Sequence, residues 1–240
     1  MRKSLTWSLA VTLLFCLTMS AQADIFMKQK HHTDAFTMMG KTQPAKDSFA
    51  SIWFSANKVR SDQENHSTIL LLDKNLLYII DHGKKTYMEV PLDLTAQMQQ
   101  PTQGSMGLKV TVTATGESKK INNWNCKKYV QKMEIMGMAV DSEIWATEDL
   151  KMDPDIYSKF ISAGLRQNPA MRTELGKMVQ EMKKIKGVQV QTFTSNVMMG
   201  QTIKSMIELV EFKDGTAPAG TFNLPEGYKK TKMPGMMGEE

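Results

Sequence analysis

Cysteine is nearly absent from this chain: 240 residues hold two. One, Cys16, lies in a segment that reads as a leader, so a single thiol, Cys126, remains and no intrachain disulfide can form. Long apolar runs are equally scarce. The first residues, with Arg2 and Lys3 ahead of Leu5 to Leu17 and a small-x-small site at Ala21-Gln22-Ala23, carry the pattern of a secretory signal cleaved after Ala23. No later run is long enough to span a bilayer as a helix, which argues against a transmembrane anchor. Bulky Phe15 before Cys16 makes that cysteine a poor lipidation site. Charge of one sign is also lacking. The whole chain carries +5, and loss of Arg2 and Lys3 leaves +3, too little to argue for a nucleic acid or an anionic membrane as partner. Metalloprotease HExxH, phosphate-loop GxxxxGK[ST], GxSxG and CxxC motifs do not occur. The expectation is an exported, periplasmic, single-domain chain over residues 24–240, stabilised by an apolar core.

What the sequence does contain is a succession of short strands. Residues 47–55, 58–63, 67–73, 76–81 and 85–90 read as strands separated by turns at Ala56-Asn57, Lys74-Asn75 and His82-Gly83-Lys84. Leu108, Val110, Val112 and Ala114 alternate with polar residues, the pattern of a strand with one wet face. Two further pairs are read over 127–135 with 138–147, and 188–193 with 202–212. Two helices interrupt them. Asp153-Pro154 opens one, with Ile156, Tyr157, Phe160, Ile161 and Leu165 on one face. Asn168-Pro169 opens the other, which carries Met171, Leu175, Met178, Val179, Met182 and Ile185 toward a terminal Gly187. A third helical turn is read around Leu92 to Gln99, and a mobile tail from about Lys229.

The predicted fold is mainly β (α+β): an unclosed, strongly curved antiparallel β-barrel with two or three helices covering its concave face. An unclosed curl leaves an apolar face that needs a cover. Nineteen methionines follow the leader, and methionine suits a surface that adapts to ligands of varied shape. Candidate cavity residues are Trp53, Phe54, Leu71, Tyr78, Ile80, Met88, Val110 and Val112. Candidate lid residues are Met171, Leu175, Met178 and Met182.

The runs Trp53 to Gln63 (WFSANKVRSDQ) and Ile69 to Val90 (ILLLDKNLLYIIDHGKKTYMEV) resemble domain-of-unknown-function family 4412. Gly116 to Tyr129 (GESKKINNWNCKKY) and Phe222 to Lys230 (FNLPEGYKK) are similar to two further blocks of that family. The family looks like a relative of the lipoprotein carrier LolA. The resemblance implies an open β-barrel plugged by helices, and a role in holding or carrying acyl chains without a cofactor or a reaction. In the LolA carrier an arginine just after the aromatic strand helps fasten the lid. Here Ser55 and Ala56 stand after Trp53-Phe54, and Arg60 lies further on.

Two alternatives to a lipid or lipoprotein carrier come from other features. Met133-x-x-Met136-x-Met138 has the thioether spacing of exported copper(I) sites, whose soft ligands select that ion. A non-catalytic envelope protein could instead pair its sheet edge with a protein partner. Cys126, between Trp124 and Tyr129, reads as a buried strand thiol rather than a nucleophile served by His66 or His82. The pairs Lys127-Lys128 and Lys183-Lys184 read as solvated faces.

Overall fold

In the computed structural model, residues 23–38, 40–92, 108–135, 138–153, 169–198 and 200–231 are described. The proposed leader, the helix read from Asp153-Pro154 and the turn read after Leu92 lie outside these residues.

Fourteen strands are defined among the described residues: β1 (Asp24–Thr33), β2 (Phe36–Met38), β3 (Lys41–Gln43), β4 (Lys46–Ser55), β5 (Lys58–Gln63), β6 (His66–Leu71), β7 (Leu76–Asp81), β8 (Thr86–Pro91), β9 (Lys109–Ile121), β10 (Trp124–Ile135), β11 (Met138–Thr147), β12 (Val188–Met198), β13 (Gln201–Gly215) and β14 (Lys229–Lys230). β2 and β3 form a small separate hairpin, and the other twelve make one sheet in the order β14-β8-β7-β6-β5-β4-β1-β13-β12-β11-β10-β9. β1 is therefore the seam between two meanders. β4 to β8 step away on one side, and β13 back to β9 step away on the other. Two-residue loops set several registers, at Ala56-Asn57, Glu64-Asn65 and Asn122-Asn123. Glu64 and Asn122 adopt the positive φ that such tight hairpins require.

The sheet is open, because β9 and β14 occupy opposite ends of it. It is also mixed, since β14 pairs parallel to β8 while the other neighbours are antiparallel. Two expectations are corrected here. The sheet is mixed rather than antiparallel throughout. And the concave face does not have two or three described helices over it. A single helix is defined among the described residues, α1 (Pro169–Met182), 14 residues long. It sits against the edge strand β9. The concave face bends round toward itself beside α1, while the opposite apolar face is covered by the segment after β13.

Alternation along the strands defines those faces. Ile25 and Met27 of β1 pair with Phe54 and Ile52 of β4, and this face continues through Val59, Leu70, Leu77 and Val90. Ile25, Met27 and Phe54 join Val188, Val190 and Leu209 in the main core. The face curls. Met182 of α1 meets Gln131 of β10, Nε2 to Sδ 3.4 Å, yet lines one cavity with Ile52 and Phe54 of β4. Five strand steps separate β10 from β4, roughly 24 Å on a flat sheet, too far for one side chain to serve both.

The opposite face of β5 to β8 has its own core. Ile69, Leu71 and Ile80 are buried there beneath Phe222, Leu224 and Tyr228. After β13 the chain thus crosses this face as a strap with turns closed by Thr221 N–H to Pro218 C=O and Asn223 N–H to Gly220 C=O, and pairs with β8 through β14. Polar contacts fasten it. The Arg60 guanidinium donates to the Thr221 carbonyl at 3.0 Å, and His82 Nδ1 meets the Tyr228 hydroxyl at 2.9 Å.

Candidate functional site

The curled face holds a cavity of about 790 Å³, within the range of small-molecule sites. Its floor is Ile25 and Met27 of β1 with Ile52 and Phe54 of β4. Its roof is Val179, Met182 and Ile185 from the end of α1 and just after, and its side wall is Leu150 and Met152 from the segment after β11. Charges of both signs, among them Glu148, Lys151, Lys186 and Asp214, line it as well.

Local chemistry places each wall. Pro169 opens α1, where its missing N–H costs nothing. Beyond α1 the chain turns through Lys184 N–H to Glu181 C=O (3.0 Å) and Ile185 N–H to Met182 C=O (3.1 Å). Gly187 then takes φ +84° against the Thr147 carbonyl, which delivers Ile185 and Val188 to the cavity. The side wall is tied down by Asp149. Its carboxylate accepts the Asn125 backbone N–H at 2.7 Å, and its own N–H donates to Thr147 Oγ1 at 3.1 Å. These hydrogen bonds hold the Asp149 carboxyl below the usual carboxylate range. Glu148 pairs with Lys127 at 2.8 Å and is lowered by that contact.

The roof is held to the sheet edge. Glu181 Oε2 accepts the backbone N–H of Val112 on β9 at 2.8 Å, and Oε1 pairs with Lys184 at 2.6 Å. Both contacts hold the Glu181 carboxyl low, Lys184 first.

The residues singled out from sequence fall in four places. Phe54 and Met182 line the cavity. Val110 and Val112 pack in a neighbouring cluster with Tyr129, Ile144, Ile185 and Met182, beneath the end of α1. Leu71, Tyr78 and Ile80 lie on the opposite face under the strap, and Trp53 also turns away from the cavity, its ring tilted 46° against Phe26 at 5.0 Å. Met88 pairs with Ile79 on the Phe54 side of the sheet but is not a cavity-lining residue. On α1, Met178 is half-buried, and the side chains of Met171 and Leu175 lie outside the described set. Of the copper candidates, Met133 pairs with Val140, Met138 is 46% exposed, and Met136 lies outside the described residues. Cys126 is buried at 1% exposure, and burial pushes its thiol up.

Ile25 and Met27, half of the floor, escaped the sequence reading. Their signal was present, since Ile25 and Met27 alternate along DIFMKQ, but the run follows the proposed cleavage site directly and no turn residue marks its start. Leu150 and Met152 sit in irregular chain and carry no periodic signal.

The model of a family described as a domain of unknown function, DUF4412, matches residues 35–228, and the chain belongs to that family. No curated protein matches it. A solved structure of PNGF-II in a C2 space group is similar over 87% of this chain at 15% identity, with a TM-score of 0.38. This chain spans 31% of that one.

Proposed function

We propose that this member of the DUF4412 family is a periplasmic binding or carrier protein for a hydrophobic, acylated ligand, a lipid or a lipoprotein, and acts without catalysis. The observation that carries the reading is the cavity between β1, β4 and the end of α1, whose floor, roof and side wall bring Ile25, Phe54, Met182 and Leu150 together among charges of both signs. Kinship with LolA-like carriers is part of the proposal, and the open sheet of two meanders joined at β1 is what supports it.

The mechanism is passive burial. Each methylene removed from water contributes about 0.8 kcal/mol, so a chain of about twelve gains roughly 10 kcal/mol. Association costs of about 4–15 kcal/mol oppose this. Long acyl chains therefore bind and short ones do not. The test is native mass spectrometry of protein purified gently from its envelope. Adducts with the mass of acylated molecules are expected, and bare protein across several lipid environments would contradict the proposal.

A further inference from the structure

We infer that Glu181 is a positioning residue that latches α1 over the cavity, and that letting go of the β9 edge is the step that opens it. The role assigned to the cavity rests on the proposed function, whereas the latch itself rests on geometry.

Among the described residues β9 is the last strand of the sheet, so alternate N–H groups along it point away from β10 with no described strand to receive them. Val112 is one of these, and at 3% exposure water does not serve it well. A buried amide left unpaired is costly. Glu181 supplies the missing acceptor from another element, 69 residues along the chain. Its second oxygen is taken by Lys184, three residues on, which fixes the carboxylate's rotamer. Val179, Met182 and Ile185 close the cavity, and Glu181 stands among them in sequence, joined to the sheet edge. The far end of the roof is anchored separately, where Lys186 N–H donates to the Tyr129 hydroxyl at 3.2 Å and Gly187 is seated on Thr147. Loss of the Glu181 contact therefore frees α1 to swing about a fixed C-terminal end. To the packing of Met182 and its Gln131 contact, Glu181 adds a charge-assisted hydrogen bond between α1 and the sheet edge, a kind roughly twice as strong as a neutral one.

The experiment compares Glu181→Ala with Glu181→Gln in the full chain. Two readouts are taken: amide hydrogen exchange at Val112, and stopped-flow entry and exit of the apolar fluorophore N-phenyl-1-naphthylamine. In Glu181→Ala, exchange at Val112 and both probe rates rise about tenfold while the equilibrium affinity changes less than threefold. Glu181→Gln keeps an oxygen that accepts the N–H and stays near the parent. Unchanged Val112 exchange in Glu181→Ala would overturn the latch, as would equal acceleration in both variants. If the alanine variant does not fold, Glu181→Asp, one methylene short of the strand, makes the same comparison. If the parent protein takes up no probe, the ligand reading falls, and Val112 exchange still decides the latch.

Discussion

At Gly187 a β-carbon would stand 1.9 Å from the Thr147 carbonyl oxygen, and the backbone there is left-handed at φ +84°. Both facts exclude other residues. Gly187→Ala is expected to lower stability by more than about 2 kcal/mol, as read in urea unfolding. Glycines with open space around them, such as Gly116, give smaller losses. His32 makes a second residue-level case. Its ring contacts Asp47 at 2.6 Å and Asp34 at 3.2 Å, and the Asp47 hydrogen bond raises it above the usual histidine value. Asp47 in turn is lowered, by His32 first and then by Lys30. A group raised on folding stabilises most below its unfolded value near 6.5, and that contribution fades as pH rises through the folded value. The Asp47 contribution runs the other way and fades as pH falls through its lowered value. The pair thus acts between those two limits. NMR titration of His32 is expected to give a midpoint above 6.5. A midpoint at or below it would rule out the pairing.

Among the elements, the strap after β13 has the most specific chemistry. Arg60 Nε donates to both oxygens of Asp62, at 2.8 and 2.9 Å. A carboxylate only accepts, so the Ser67 hydroxyl donates to Asp62. Ser67 Oγ then accepts from His82 Nε2 at 2.6 Å, which leaves Nδ1 to accept the Tyr228 hydroxyl proton. With a neutral imidazole, one proton order satisfies every member, and it ties strap to sheet. Tyr228→Phe is expected to cost about 1 kcal/mol and to speed proteolysis of the strap. The nitrogen-15 spectrum of the parent protein is expected to show the His82 proton on Nε2, and a proton on Nδ1 would refute this order. None of this was legible in the sequence. The block Phe222 to Lys230 stands out in the sequence only through its family resemblance, and Tyr228 meets His82 across 146 residues. Strands with flanking turns were legible, because alternation and tight loops are local. β1 was not recognised, although its place at the centre of the sheet makes it the strand on which both meanders depend. The start of α1 was legible in Asn168-Pro169. Which way α1 faces was not, since that is set by a distant edge amide at Val112.

For the whole molecule, the sheet has two apolar faces with two different covers. One is closed by the chain's own strap, while the other bends round a cavity under α1. This explains why the sequence reading assigned Leu71, Tyr78 and Ile80 to the cavity. Strands with apolar residues on both faces lose the alternation that tells one face from the other, and β6 and β7 are such strands. Their apolar residues on either side look alike, and only the register through β5 to Phe54 separates them. The central claim concerns the curled face alone, so it is tested by filling that face and leaving the other intact. The measurement is the affinity of the delipidated protein for a long-chain fluorescent fatty acid, compared among the parent, Val179→Trp in the roof, and Phe49→Ala on the opposite side of β4. One-to-one binding in the parent and in Phe49→Ala, with at least tenfold weaker binding in Val179→Trp, is the predicted result. No binding by the parent, or binding indifferent to Val179→Trp, would contradict it.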